Sequence, residues 1–343
     1  MTRRFAARGV FLAAALALAS LPSLASTQEV NLYTTREPGL IQPLLDAFTK
    51  DTKIKVNSIF IKDGLAERVK AEGANSPADV LMTVDIGNLL DTVDQGVTQA
   101  VQSEALSSAI PAHLRDKDGH WYALSLRARL IYVSKERVKD AKLTYESLTD
   151  PKWKGKICIR SGTHPYNSAL IAAHIVHHGE AKTEAWLTGI KNNLARKPAG
   201  GDREVARDIL GGICDAGLAN SYYVGLMRSG KGGPDQEKWG AAINPLLGTF
   251  EKGGTHVNIS GASIARNAPN KANAVKLLEY LVSNDAQALY AKANFEYPVR
   301  PSAAVDSIIA AFGKLSPDQI DLRAVAKARK QASTLVDKVG FNN

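Results

Sequence analysis

Tyr222 and Tyr223 are adjacent phenols that directly follow the capping pair Asn220-Ser221, at the end of the apolar run Ala216-Gly217-Leu218-Ala219. Adjacent side chains point to opposite faces of a strand and diverge by about 100° in mid-helix. In the first turn of a helix both rings can lean forward into one cleft, where free backbone N–H groups also favour an anion. Two phenolates beside an anion site suit a hard trivalent cation. For the dipeptide alone, a tyrosine pair packed in a core is the commoner outcome, so the weight falls on the remainder of the chain.

Other reactive residues read less sharply. His174, His177 and His178 lie at i, i+3 and i+4, a spacing able to chelate a metal, yet they fall at a helix C-terminus where histidines are favourable anyway. His164 lies just before Tyr166 and reads as outer support. Tyr33 ends a strand and reads as packed. Asp79 and Asp85 suggest acid–base chemistry, but no serine elbow, HExxH or phosphate loop accompanies them. An exported metal-dependent hydrolase is therefore poorly served, since it needs an open metal position and a base.

The elements that must position these groups alternate. Strands are expected at 29–33, 53–61 and 78–84, with helices at 38–50, 64–72 and 87–95. On the first helix Leu40, Ile41, Leu44, Leu45 and Phe48 share one face. This rhythm predicts a doubly wound, mostly parallel sheet, with ligands outside the carboxyl ends of its strands, where Tyr33-Thr34-Thr35-Arg36-Glu37 and Thr83-Val84-Asp85 lie. A long extended stretch, 121–134, passes Arg127 and Arg129 and leads into a second α/β set. There a strand at 156–160 precedes a helix from Tyr166, and helices are expected at 183–193 and 203–210. Residues 230–239 read as a glycine-rich loop, and 259–264 as a strand returning to the first set. Helices at 270–282 and 285–293 follow. Residues 296–300 cross once more, and 303–339 read as a helical tail.

Arg3, Arg4 and Arg8, the apolar stretch from Val10 to Leu21 and the small residues of Ser23-Leu24-Ala25 make 1–25 an expected export signal. Its apolar stretch is too short to span a bilayer. Removing it would lower the formal charge from +9 by three arginines, to +6. Lysines and arginines are scattered among acids, which suits small anionic ligands and lacks the basic, aromatic-laced stripe of a nucleic-acid binder. The remaining length exceeds what one core usually organises, so two lobes are expected. Cys158 and Cys214 are the only cysteines, both in strand-like stretches, and in an exported chain a pair most simply forms a structural disulfide.

Six short stretches, in order along the chain, carry a resemblance to the periplasmic ferric-iron-binding proteins, the substrate-binding components of iron(III) ABC transporters. They are Leu32-Tyr33-Thr34-Thr35-Arg36, Ser76-Pro77-Ala78-Asp79-Val80, Trp153-Lys154-Gly155-Lys156, Tyr166-Asn167, Ser221-Tyr222-Tyr223 and Glu296-Tyr297-Pro298-Val299-Arg300. The resemblance implies a two-lobed, type II periplasmic-binding-protein fold. One lobe would hold 26–126 and 259–300, the other 127–258 and 301–343. It further implies Fe³⁺ held in the interlobe cleft by Tyr166, Tyr222 and Tyr223, and delivery to an inner-membrane permease by a periplasmic, non-catalytic monomer. Many relatives carry a His-Tyr pair after the first arginine, whereas here Arg36 is followed by Glu37-Pro38. The implied arrangement is then three tyrosines plus an exogenous anion, carbonate, held by Arg36 and Arg127. Glu37 is a weaker candidate for the metal because Pro38 restricts its backbone. The alternative keeps the fold and places a small organic or inorganic anion on those arginines.

Overall fold

The computed structural model describes residues 1–2 and 28–343. Apart from its first two residues, the expected export signal at 1–25 lies outside the described residues. Among the described residues ten strands are formed: β1 Glu29–Thr34, β2 Lys55–Phe60, β3 Val80–Thr83, β4 Thr98–Gln99, β5 Tyr122–Ser134, β6 Ile157–Cys158, β7 Ala216–Asn220, β8 Ile243–Leu246, β9 Val257–Ala265 and β10 Tyr297–Pro298. Their main path is β2-β1-β3-β9-β5-β7-β6, with β4 on β9 and with β8 and β10 on β5.

The expected parallel pairing holds at the two ends, where β1 pairs with β2 and β3, and β6 with β7. The crossing strands at the centre make the sheet as a whole mixed. There β9 runs antiparallel to β3, and β5 runs antiparallel to β9, β7 and β8. A chain that leaves one α/β set and later returns must traverse the sheet in opposite directions, and β5 and β9 are those two passes. Every residue of β5 is buried, including Arg127 and Arg129, so this strand carries two guanidiniums into the interior.

Helix Pro38–Thr52 buries Ile41, Leu44, Leu45 and Phe48, at i, i+3, i+4 and i+7, and ends at Lys53 in the left-handed region. Each such side chain contributes roughly 1.5–3 kcal/mol of apolar burial. One core gathers Val30, Leu32, Phe48, Met82, Leu89 and Leu277 around the first strands. A second gathers Trp153, Leu170, Trp186, Phe250, Leu335 and Phe341.

Two further sequence expectations fail for local reasons. The tail is helical only over Ser307–Ala310 and Leu322–Lys338. Between them Gly313 and Pro317 interrupt the pattern, and Thr255 bridges to Pro317. Residues 230–239 are not all loop: helix Pro234–Ala242 starts there, with proline in its first turn after Gly233 at φ 89°.

Cys158 and Cys214 are disulfide-bonded, with Cα atoms 5.8 Å apart. Cys158 ends β6, but Cys214 lies just before β7 rather than within it. The bridge fastens the segment leading to Tyr222 against the segment leading to Tyr166. Its closed loop spans 56 residues in sequence, and removing it should cost about 4 kcal/mol. Urea unfolding of Cys158→Ser/Cys214→Ser against the oxidised protein checks this; equal midpoints would contradict it.

Candidate metal centre

The two tyrosine-bearing helices are aimed by one buried network. Arg129 on β5 is 1% exposed, and its guanidinium is bonded to Asp202. It donates to Asn220 Oδ1 (3.0 Å), to Asn167 Oδ1 (2.5 Å) and to the Leu218 carbonyl (3.1 Å). Asn167 follows Tyr166 in helix Pro165–His178, and Asn220 precedes helix Ser221–Arg228. Asp202 also accepts from the Asn220 amide (2.8 Å) and from Arg160 (3.2 Å). One charged pair therefore sets both helix starts.

Asn220 occupies the cap position as read, but its side chain makes no cap hydrogen bond. It is turned to Arg129 instead, and Ser221 Oγ accepts from the Ala128 amide at 3.3 Å. The capping pair thus ties the helix to β5 rather than closing its own N–H groups. Helix Pro165–His178 starts differently, with His164 Nδ1 accepting from the Tyr166 amide at 3.3 Å. The His164 ring packs edge-on to Tyr166 at 4.6 Å.

Tyr166, Tyr222 and Tyr223 line one cavity of about 340 Å³, together with Thr35, Arg36, Glu37, Leu40, Val84, Arg127, Arg203, Leu226, Asn294 and Glu296. The hydroxyls of Tyr166 and Tyr222 are 3.2 Å apart, and the rings of Tyr222 and Tyr223 lie 4.1 Å apart. Burial, then the neighbouring Tyr166 and Tyr223 hydroxyls, hold Tyr222 well above the ordinary phenol range. Burial and Tyr166 push Tyr223 up to about 12. Without a cation these two rings are neutral phenols at neutral pH.

The arginines differ in availability. Arg36 bonds Glu296 through both terminal nitrogens (2.7 and 3.1 Å), also bonds Ser260, and stacks over Tyr290 at 5.5 Å. Burial alone would raise the Glu296 carboxyl, but Arg36 and Arg127 outweigh it and hold it below the ordinary range. Phe295, at φ 57°, ends helix Asn284–Asn294 in the left-handed region and turns the chain into Glu296. Arg127 donates to Ser260 (3.0 Å) and to the carbonyls of Val84 and Ile259. Arg127 forms no ion pair among the described residues.

Sequence reasoning missed Arg203. It lies 5.8 Å over the Tyr223 ring, lines the cavity and is in no ion pair among the described residues. A signal existed, because Arg203 sits in the first turn of helix Asp202–Leu210, where a cation opposes the helix dipole. Glu37 lines the same cavity, whereas Tyr33 is 1% exposed and donates to Glu72 at 3.1 Å, as its packed reading expects. Asp85 caps helix Ile86–Asp94, and Asp79 accepts from Asn31 and Asn270 amides, so both are structural.

Residues 75–311 match the family described as bacterial extracellular solute-binding protein. The chain belongs to this family. A curated relative, iron uptake protein A2 of Synechocystis, is 41% identical over 95% of this chain and 94% of its own length. The solved structure of a Bordetella ferric binding protein superposes at TM-score 0.89, with 65% identity over 92% of this chain and 100% of that one. A Trichodesmium protein in complex with iron and citrate ligands superposes at 0.87, with 42% identity over 91% and 99%. The fold is the type II periplasmic-binding-protein fold, and the family is one of solute binders rather than enzymes. The resemblance read from the six sequence stretches is the one these comparisons return.

Arg129→Met would leave Asp202 buried with only the half-buried Arg160 as a charged partner. We expect a loss of about 3–5 kcal/mol in urea unfolding. The more exposed Arg137–Asp215 pair at 2.5 Å serves as control, since Arg137→Met should cost less than about 1 kcal/mol.

Proposed function

We propose that this protein binds ferric iron in the cleft through Tyr166, Tyr222 and Tyr223 and carries it through the periplasm to an inner-membrane ABC permease. The observation that carries this reading is the convergence of three phenol hydroxyls on one cavity bordered by arginines. Oxygen donors match a hard cation, and three phenolates cancel three positive charges, which avoids a net charge in a closing cleft. The names of the relatives, iron uptake and ferric binding, support the same cargo.

An exogenous anion completes the shell in this proposal. Arg36 is largely satisfied by Glu296, so Arg127 and Arg203 are the guanidiniums better placed to balance it. Carbonate is the anion first expected from the sequence. Citrate is the second candidate, because a similar solved structure holds iron with citrate. The two lobes, 26–126 with 259–300 and 127–258 with 301–343, would close over the metal by bending of β5 and β9.

The test is a visible absorption titration with ferric citrate, with and without bicarbonate, on the wild type, Tyr222→Phe and Tyr223→Phe. A saturable phenolate-to-iron band in the wild type, lost or shifted in both variants, is the expected result. No band at stoichiometric iron would overturn the assignment and favour a small-anion ligand on the arginines. The same titration fixes the pH dependence. Each phenol proton released on binding raises affinity about tenfold per pH unit below the free pKa, once the citrate competitor is corrected for. Affinity should therefore fall steeply on acidification, by up to about a thousandfold per unit if three protons leave. A flat profile would contradict phenolate ligation.

A further inference from the structure

We propose that Glu146, His174 and His178 form a second metal site, for a borderline divalent cation of the zinc type, at the far end of the helix that bears Tyr166. A ring nitrogen of each histidine and a carboxylate oxygen of Glu146 all lie within 4.8 Å of one another. Donors on one tetrahedral zinc stand about 3.4 Å apart, so the widest separations must close by up to about 1.4 Å while the Glu146–His178 pair, at 2.9 Å, opens slightly.

The hydrogen bonds show which nitrogen is unpartnered. His174 Nδ1 lies 2.8 Å from Thr183 Oγ1, which holds that side of the ring in either tautomer. Nε2 has no hydrogen-bond partner although His174 is only 2% exposed. A buried imidazole with its outer nitrogen held by a hydroxyl and its other nitrogen unpartnered is the arrangement metal-ligating histidines use. Stacking on Trp186 at 4.3 Å keeps the ring in place.

Glu146 lies in the short turn Glu146–Thr149, and its Oε1 is 2.9 Å from His178 Nε2. A cation would replace the proton these two share. His177 is drawn away to Asp318 at 2.6 Å, which leaves the i, i+4 pair facing Glu146. The three groups sit at the C-terminal end of helix Pro165–His178, where the dipole favours positive charge. Two imidazoles and one carboxylate select zinc or copper(II) over ferric iron, and three ligands leave a fourth position for water. His174 stands eight residues beyond Tyr166, roughly 12 Å along the helix axis, so the two sites are separate.

The test is calorimetric titration of tag-free, EDTA-treated protein with zinc chloride. It compares the wild type, His178→Ala, Glu146→Gln and Tyr222→Phe/Tyr223→Phe, with circular dichroism confirming each fold. One zinc per chain is expected in the wild type and in the tyrosine variant, with binding at least tenfold weaker in His178→Ala and Glu146→Gln. Copper(II) should quench wild-type tryptophan fluorescence more than that of Trp186→Phe. The proposal fails if no zinc binds, if neither His178→Ala nor Glu146→Gln weakens it, or if the tyrosine variant abolishes it. Should His178→Ala not fold, Glu146→Gln decides. The visible iron band of the folded His178→Ala protein should be unchanged, so this test and that of the iron reading fail independently.

Discussion

The buried pair between Arg129 and Asp202 is the constraint on which the cleft depends. Two fully buried charges are tolerated only when their remaining hydrogen-bonding capacity is filled. Here Asn167, Asn220, Arg160 and backbone groups at the ends of three elements take up all of it except the Arg129 Nε–H, which has no partner. Satisfying the charge and positioning Tyr166 and Tyr222 are therefore one requirement. The disulfide acts on the same region, joining β6 to the residues before β7.

Tyr222 and Tyr223, buried beside each other and beside Tyr166, resist ionisation. Burial, and for each ring the hydroxyl of a neighbour, raise Tyr222 and Tyr223, so without a metal these two rings are neutral. By linkage, raised phenols favour the folded state below pH 10, and that advantage fades as the unfolded chain ionises above it. In the proposed function a trivalent cation would reverse the balance by displacing protons. Under the proposed function, such a cleft would respond to acid and to the supply of an anion, the two levers that would release the cation.

Much of this was legible in the chain. The α/β rhythm, the cysteine pair and the first-turn position of Tyr222 and Tyr223 follow from local pattern. The antiparallel centre did not, because direction of pairing depends on where β5 and β9 return, which no window of residues records. The pairing of Arg36 with Glu296 joins residues 260 apart in sequence. Arg203 broke a local rule by placing a cation at a helix start, and that departure was its only trace. The histidine triplet on helix Pro165–His178 was visible as spacing, but Glu146 comes from a turn outside that helix and only the fold supplies it.

The central claim is that three phenol oxygens act as one ligand set. An anomalous-difference map at the iron edge, from crystals of the iron-loaded protein, tests it most directly. The account predicts one strong peak within bonding distance of the hydroxyl oxygens of Tyr166, Tyr222 and Tyr223, beside density for an anion near Arg127 and Arg203. A peak elsewhere, or iron touching none of the three, would contradict it.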